Sequence, residues 1–161
     1  MVILFADKAC GAGKEIYEIL HRSGIGEKTE FTVITEHEKP EIGSNPTIAV
    51  FSGNSEAFRG MALPGGTVGI CEDSNLTALK ILMENGATVI TCGMNPKNTV
   101  TLSSLTSSSA LVSLQRTVTD IFGHDAEPCE LGIKLNRGRS PFAVTASAAV
   151  LLLAGITPAE F

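Results

Sequence analysis

Residues 67–92 constrain this chain more than any other stretch. Thr67-Val68-Gly69-Ile70-Cys71 is an apolar, strand-like run that stops at the acidic pair Glu72-Asp73. Leu76, Leu79, Leu82 and Met83 then recur at helical spacing, with side-chain oxygens at Asp73, Ser74 and Asn75 placed to cap the helix. Asn85-Gly86 supplies a stop, and Thr88-Val89-Ile90-Thr91-Cys92 is a second strand. Strand, helix and strand in that order join as a right-handed crossover between parallel neighbours.

The rest of the first half repeats this alternation. Val2-Ile3-Leu4-Phe5-Ala6 is a continuous apolar run ended by Asp7, the pattern of a strand buried on both faces. Gly11, Ala12 and Gly13 follow, and Ile16, Ile19 and Leu20 mark a helix that Gly24 and Gly26 end. Residues 31–35 and 47–51 are further strands, joined through a polar connection at 36–40. Residues 52–65 have no clear period, and Gly60, Pro64, Gly65 and Gly66 mark a loop.

After residue 97 the texture changes. Apolar runs at 99–102, 110–115, 117–122 and 130–135 are separated by turn residues, which predicts an antiparallel meander. Gln115-Arg116 and the acids Glu127 and Glu130 fall in the same region and suggest a cross-strand Arg–Glu pair. Ser140 then stands as an N-cap before Pro141, and Gly155 and Pro158 end a helix that is apolar nearly all round. Such a helix belongs between layers. The expected fold is therefore a single three-layer α/β domain over 1–161. Its mainly parallel sheet (1–97) is extended by an antiparallel meander and closed by a buried C-terminal helix (98–161).

Charge and composition narrow the function. Twelve basic against 17 acidic side chains give a net charge of −5, which disfavours a nucleic-acid partner. With 43% apolar and 18% charged residues, the 161-residue chain can bury a core without disulfides or metal. Its four cysteines and three histidines are dispersed, so no metal site is expected, and Cys71 and Cys92 lie in apolar runs as buried thiols of a reducing cytoplasm. The start carries no basic region and the last apolar run, with Thr145 and Ser147, falls short of the ~20 residues of a membrane span. Neither export nor a membrane partner is expected.

Three constellations carry candidate chemistry. Gly11, Gly13 and Lys14 lie in a strand-to-helix turn, the position of a phosphate loop, where backbone N–H groups at a helix N-terminus cradle an anion. The pattern fails at both ends, because Lys8 replaces the first glycine and Glu15 replaces the hydroxyl that binds Mg²⁺. Second, ligands of parallel sheets bind beyond the carboxyl ends of the strands. Those ends bring forward Asp7, Asn54, Glu72, Asp73 and Asn95 around the same crevice as Lys14. Glu72 and Asp73 are a candidate Mg²⁺-binding or basic pair, with Asp73 preferred as a helix cap. Third, Ser103, Ser104 and Ser113 lack a nucleophile elbow or a neighbouring histidine and read as sheet residues.

From Leu63-Pro64-Gly65-Gly66 through Glu72-Asp73, on to Val89-Ile90-Thr91-Cys92-Gly93, the chain resembles the later part of the central domain of Mur ligases. Those enzymes use ATP to join amino acids to UDP-linked muramyl precursors. Gly138, the alanine-rich Ala146-Ser147-Ala148-Ala149 and Gly155-Ile156 match the helix that follows in the family, so the resemblance covers about residues 63–156. It implies the same domain architecture and a link to cell-wall precursors. The family's ATP loop has no intact counterpart, its His-Asn pair appears as Arg139-Ser140, and a later asparagine appears as Ala143. These departures imply a Mur-ligase-like domain without the ligase machinery, which binds a small molecule or a protein partner and needs no cofactor. Two alternatives stand beside it: a small enzyme holding ATP–Mg²⁺ at residues 11–14, and an assembly protein that forms homo-oligomers by pairing through the meander.

Overall fold

The computed structural model describes residues 1–7, 11–25, 29–34 and 45–156. Lys8 and Cys10, Gly26, the connection at 36–40 with His37, and Pro158 lie outside the described residues. The elements run β1 (Val2–Ala6), α1 (Ala12–Arg22), β2 (Glu30–Ile34), β3 (Thr47–Phe51), a 3-10 turn (Glu56–Phe58), β4 (Val68–Glu72), α2 (Leu76–Glu84) and β5 (Thr88–Gly93). They continue with β6 (Val100–Leu105), β7 (Ser109–Leu114), β8 (Val118–Thr119), β9 (Asp125–Ala126), β10 (Cys129–Lys134) and α3 (Pro141–Leu153).

Eight strands form one mixed sheet in the order β10-β7-β6-β5-β4-β3-β1-β2. Neighbours from β2 to β6 are parallel, and β7 is antiparallel to both β6 and β10. Alternation within each strand divides the apolar side chains between two cores. Ile3, Phe5, Ile48, Val50, Ile70 and Ile90 pack with α1 and α3, while Leu4, Ala49, Phe51 and Cys71 pack with α2 and Phe58. Strands covered on both faces must be apolar throughout, which is why β1 and β3 read as unbroken hydrophobic runs. The three-layer α/β expectation is met.

Helix α3 is buried from Phe142 to Leu153. It crosses the sheet beside α1, and residues 118–126 close over its far side. Val118, Ile121 and Ala126 join its core, and Ile121 N–H donates to the Leu153 carbonyl at 2.9 Å. Thr145 and Ser147 return their hydroxyls to carbonyls one turn back, so their burial leaves no polar group unpaired. Gly155, at φ +70°, ends the helix with the paired bonds Gly155 N–H to Leu152 and Ile156 N–H to Leu151.

Four expectations need correction. The run at 117–122 does not extend the main sheet: only Val118–Thr119 is strand, paired with Asp125–Ala126 in a separate ribbon. Asn75, not Asp73, caps α2, accepting the Ala78 N–H at 3.1 Å. Arg116 donates to the Lys97 carbonyl at 2.6 Å rather than pairing with an acid, and Glu127 accepts from Thr117. The stretch 52–65 is not wholly loop, since Glu56–Phe58 forms a 3-10 turn that buries Phe58.

Candidate functional site

The carboxyl ends of β5, β4, β3 and β1 lie side by side, so Asn95, Glu72 with Asp73, Asn54 and Asp7 form a row along one edge of the sheet. At one strand spacing per step, the row spans about 14 Å. Along it the candidate side chains are mostly engaged with their own loops. Asn54 accepts the Glu56 N–H at 2.9 Å and Asn95 accepts the Lys97 N–H at 3.0 Å, both as exposed local turns. Asp73 accepts from Asn98 Nδ2 at 3.2 Å and lies over Gly93, where a Cβ would stand 2.7 Å from Asn98 and 3.3 Å from Asp73. Asn75 ties the β3 and β4 ends together, donating to the Gly53 carbonyl and to Ser55, both at 2.9 Å.

The decisive contact is at the start of α1. Asp7 is buried, and its Oδ2 accepts the Gly13 N–H at 3.0 Å. A helix N-terminus gathers unpaired N–H groups and favours a negative charge. In a phosphate loop that charge comes from the ligand. Here a carboxylate of the chain takes one of those donors, and Gly13 is tight against it: a Cβ there would lie 2.8 Å from Asp7 Oδ2. Gly11 and Lys14 are exposed. Glu15, standing where a Mg²⁺-binding hydroxyl would be, accepts from both Ser140 N (2.8 Å) and Ser140 Oγ (3.0 Å), and so joins α1 to the start of α3. Glu72 is half-buried at the end of β4. Among the described residues no group of three His, Cys, Asp or Glu side chains converges, so the pair 72–73 has no third ligand of that kind.

Two thiols near this edge, Cys71 and Cys92, are buried. Burial, aided by the Glu72 and Asp73 carboxylates, pushes the Cys71 thiol up to about 12, and burial drives Cys92 upward as well. Cys129 is exposed on β10. Ser103 and Ser113 hydrogen-bond one another at 3.0 Å across β6 and β7, which is a sheet contact.

A cavity of about 620 Å³ lies at the opposite end of the sheet, where sequence reasoning placed nothing. Pro46, Gly66 and Thr88 bring the amino ends of β3, β4 and β5 to one wall, and residues 116–121 form the other. The opening follows from the strand pairing. β6 meets β5 only at Cys92–Val100 and Gly93–Thr101, whereas β4 pairs with β5 from Thr88 to Cys92. Thr88 N–H points to the Thr67 carbonyl, so alternation turns the Val89 N–H and C=O the other way, into the cleft. Its lining is mixed: buried Ile90 and Val118 and half-buried Val89 supply apolar surface, Thr88, Thr99, Thr117 and Thr119 supply hydroxyl-bearing residues, and Arg116 and Asp120 bring one charge of each sign. Because β6 runs parallel to β5, the short connection at 94–99 cannot return the chain to the amino end of β5, and β6 meets only its carboxyl end; the sequence left that orientation open.

No protein-family model matches this chain, and no curated protein sequence matches it. No helix among the described residues is long and apolar enough to cross a membrane.

Proposed function

We propose that this is a non-catalytic binding protein on a Mur-ligase-like scaffold, with a small molecule or a protein partner as its ligand and the amino-end cleft as its seat. The observation that carries the reading is the Asp7–Gly13 bond: the helix N-terminus that an ATP-using enzyme turns toward phosphate here serves an internal carboxylate. The order of elements supports the scaffold: a strand–helix–strand unit at 68–93, antiparallel strands β6, β7 and β10, then an alanine-rich helix ended by Gly155-Ile156. The link to cell-wall precursors rests on the family resemblance alone.

Thermal unfolding tests the reading. ATP–Mg²⁺ at millimolar concentration is expected to leave the melting temperature unchanged. A rise that Lys14→Ala abolishes would establish the rival enzyme at residues 11–14 and overturn the binding-only reading. A UDP-muramyl peptide is expected to raise the melting temperature by an amount that reaches about 2.7 kcal/mol of stabilisation at a hundredfold excess over Kd. That rise should shrink in Arg116→Ala if the cleft is the seat. No rise would remove the cell-wall link.

A further inference from the structure

The amino-end cleft lies where β6 would continue if that strand were longer. β6 begins at Val100 beside Cys92, and β7 lies against its other side, with Leu114 opposite Val100 and the Gln115 N–H donating to the Thr99 carbonyl at 2.9 Å. At that point β5 and β7 are two strand spacings apart, about 9.6 Å. Toward the amino end of β5 the line of β6 is not continued, because residues 94–99 carry the chain from one strand into the next. The chain leaving β7 runs on through residues 116–121, the opposite wall of the cleft. Between that wall and Thr88–Thr91 of β5 is a lane in line with β6.

Main-chain groups bound this lane. Val89 lines the cleft and is half-buried, and its N–H and C=O have no hydrogen-bond partner among the described residues. Backbone groups withdrawn from water need partners. An extended chain in the lane would supply them, continuing the ladder that β6 forms with Cys92 and Gly93. Four residues of strand take about 13 Å of length, about 4.8 Å across the lane and about 10 Å through the sheet, or about 600 Å³. The cleft holds about 620 Å³. On one side Val68, Ile90, Val118 and Ile121 belong to the core around α3 or pack against it, so alternate side chains of the added strand meet apolar surface. The smaller cavity of about 160 Å³ between α1 and the β10–α3 connection differs, since its Arg139 already donates to Glu18 and Asn136.

We propose that the cleft takes an extended peptide segment of a protein partner, which adds to β5 as a strand and carries apolar side chains at alternate positions. The inference rests on the cleft as the seat of binding and names main-chain pairing as the mode of recognition.

The test follows the Val89 amide in ¹⁵N-labelled protein during titration with a capped five-residue peptide of alternating valine and threonine. In the ligand-free protein the Val89 N–H should exchange with D₂O faster than the Ile90 N–H, which turns to β4. Equal protection of the two would overturn the proposal. Peptide that occupies about nine-tenths of the protein should shift the Val89 signal and slow its exchange about tenfold. The same peptide N-methylated at two adjacent central amides keeps its side chains but loses a donor facing β5 in either register. It should bind about tenfold more weakly; equal binding would show that apolar contact alone carries the affinity and would overturn strand addition. Both arms use the unaltered protein, so folding of a variant does not enter. A UDP-muramyl peptide that moves the Val89 signal where the alternating peptide does not would remove this inference and leave the cleft as the seat. If neither moves it, both readings of the cleft fall.

Discussion

Asp7 places a carboxylate of the chain itself at the start of α1. A turn of glycines before a helix is compatible with an anion from outside or from the chain, and the 3.0 Å bond to Gly13 gives one of the helix's first N–H groups to the internal carboxylate. Asp7→Ala should therefore cost about 1–3 kcal/mol in urea unfolding by leaving a buried N–H unpaired, and Asp7→Asn less, since an amide oxygen can still accept. Equal stability of Asp7→Ala and the parent would show that the bond is dispensable. Glu56 carries a second residue-level effect. Hydrogen bonds from Arg59 first and Thr77 next hold its carboxyl at about 2. A carboxylate lowered in the folded state stabilises above its unfolded pKa of about 4.3 and loses that contribution as pH falls toward the folded value. Glu56→Gln should accordingly flatten the fall in stability between about pH 4.5 and 2, read by thermal unfolding across that window. Glu18, lowered chiefly by the Arg139 hydrogen bond, acts in the same direction. Thiol labelling offers a direct check on burial: with native protein near pH 8, Cys129 should react while Cys71 and Cys92 stay protected until unfolding. Modified Cys71 in folded protein would contradict its raised pKa.

At the scale of elements, the fit of α2 on the sheet depends on an absent side chain. A Cβ at Gly69 would lie 2.1 Å from Leu82 Cδ2 and 2.5 Å from Cδ1, and Leu82 is fully buried. Gly69→Ala should destabilise by about 1–3 kcal/mol through overpacking; an unchanged urea midpoint would mean that α2 shifts freely. Helix α2 is held at both ends by asparagines. Asn75 caps its start, and Asn85 accepts from Leu63 N–H at 2.7 Å while donating to the Met61 and Ile81 carbonyls. The sequence made this unit legible because apolar period, cap region and stop all agreed. It misplaced the cap by two residues, since Asp73, Ser74 and Asn75 are all capping types and only the position of the first helical turn chooses among them.

For the whole molecule, the sheet order sets the hierarchy of stability. β1, β3 and β4 are paired on both sides and covered on both faces, whereas β2 and β10 are edges. Native-state hydrogen exchange should therefore be slowest in β1, β3 and β4 and faster in β2 and β10; a β10 as protected as β3 would point to pairing of that edge with another chain, the assembly reading. The same order places the two cavities. One opens at the amino ends, where β6 leaves Thr88 to Thr91 of β5 unpaired on that side, and the other lies where the β10–α3 connection passes α1.

The sequence by itself determined the elements and the layers. The unbroken runs of β1 and β3, the period of α2 and the all-round apolarity of α3 require strands and helices buried in an α/β stack, because local pattern and burial are coupled residue by residue. It also named the residues of the carboxyl edge, since strand ends can be counted. Tertiary structure alone decided which of them are engaged with one another, and where the molecule is open. That Asp7 meets Gly13, that Arg139 reaches Glu18 across 121 positions, and that β6 touches only the last two residues of β5 are consequences of how the chain closes on itself. Such contacts are set by packing between distant segments, on which local sequence patterns carry no information.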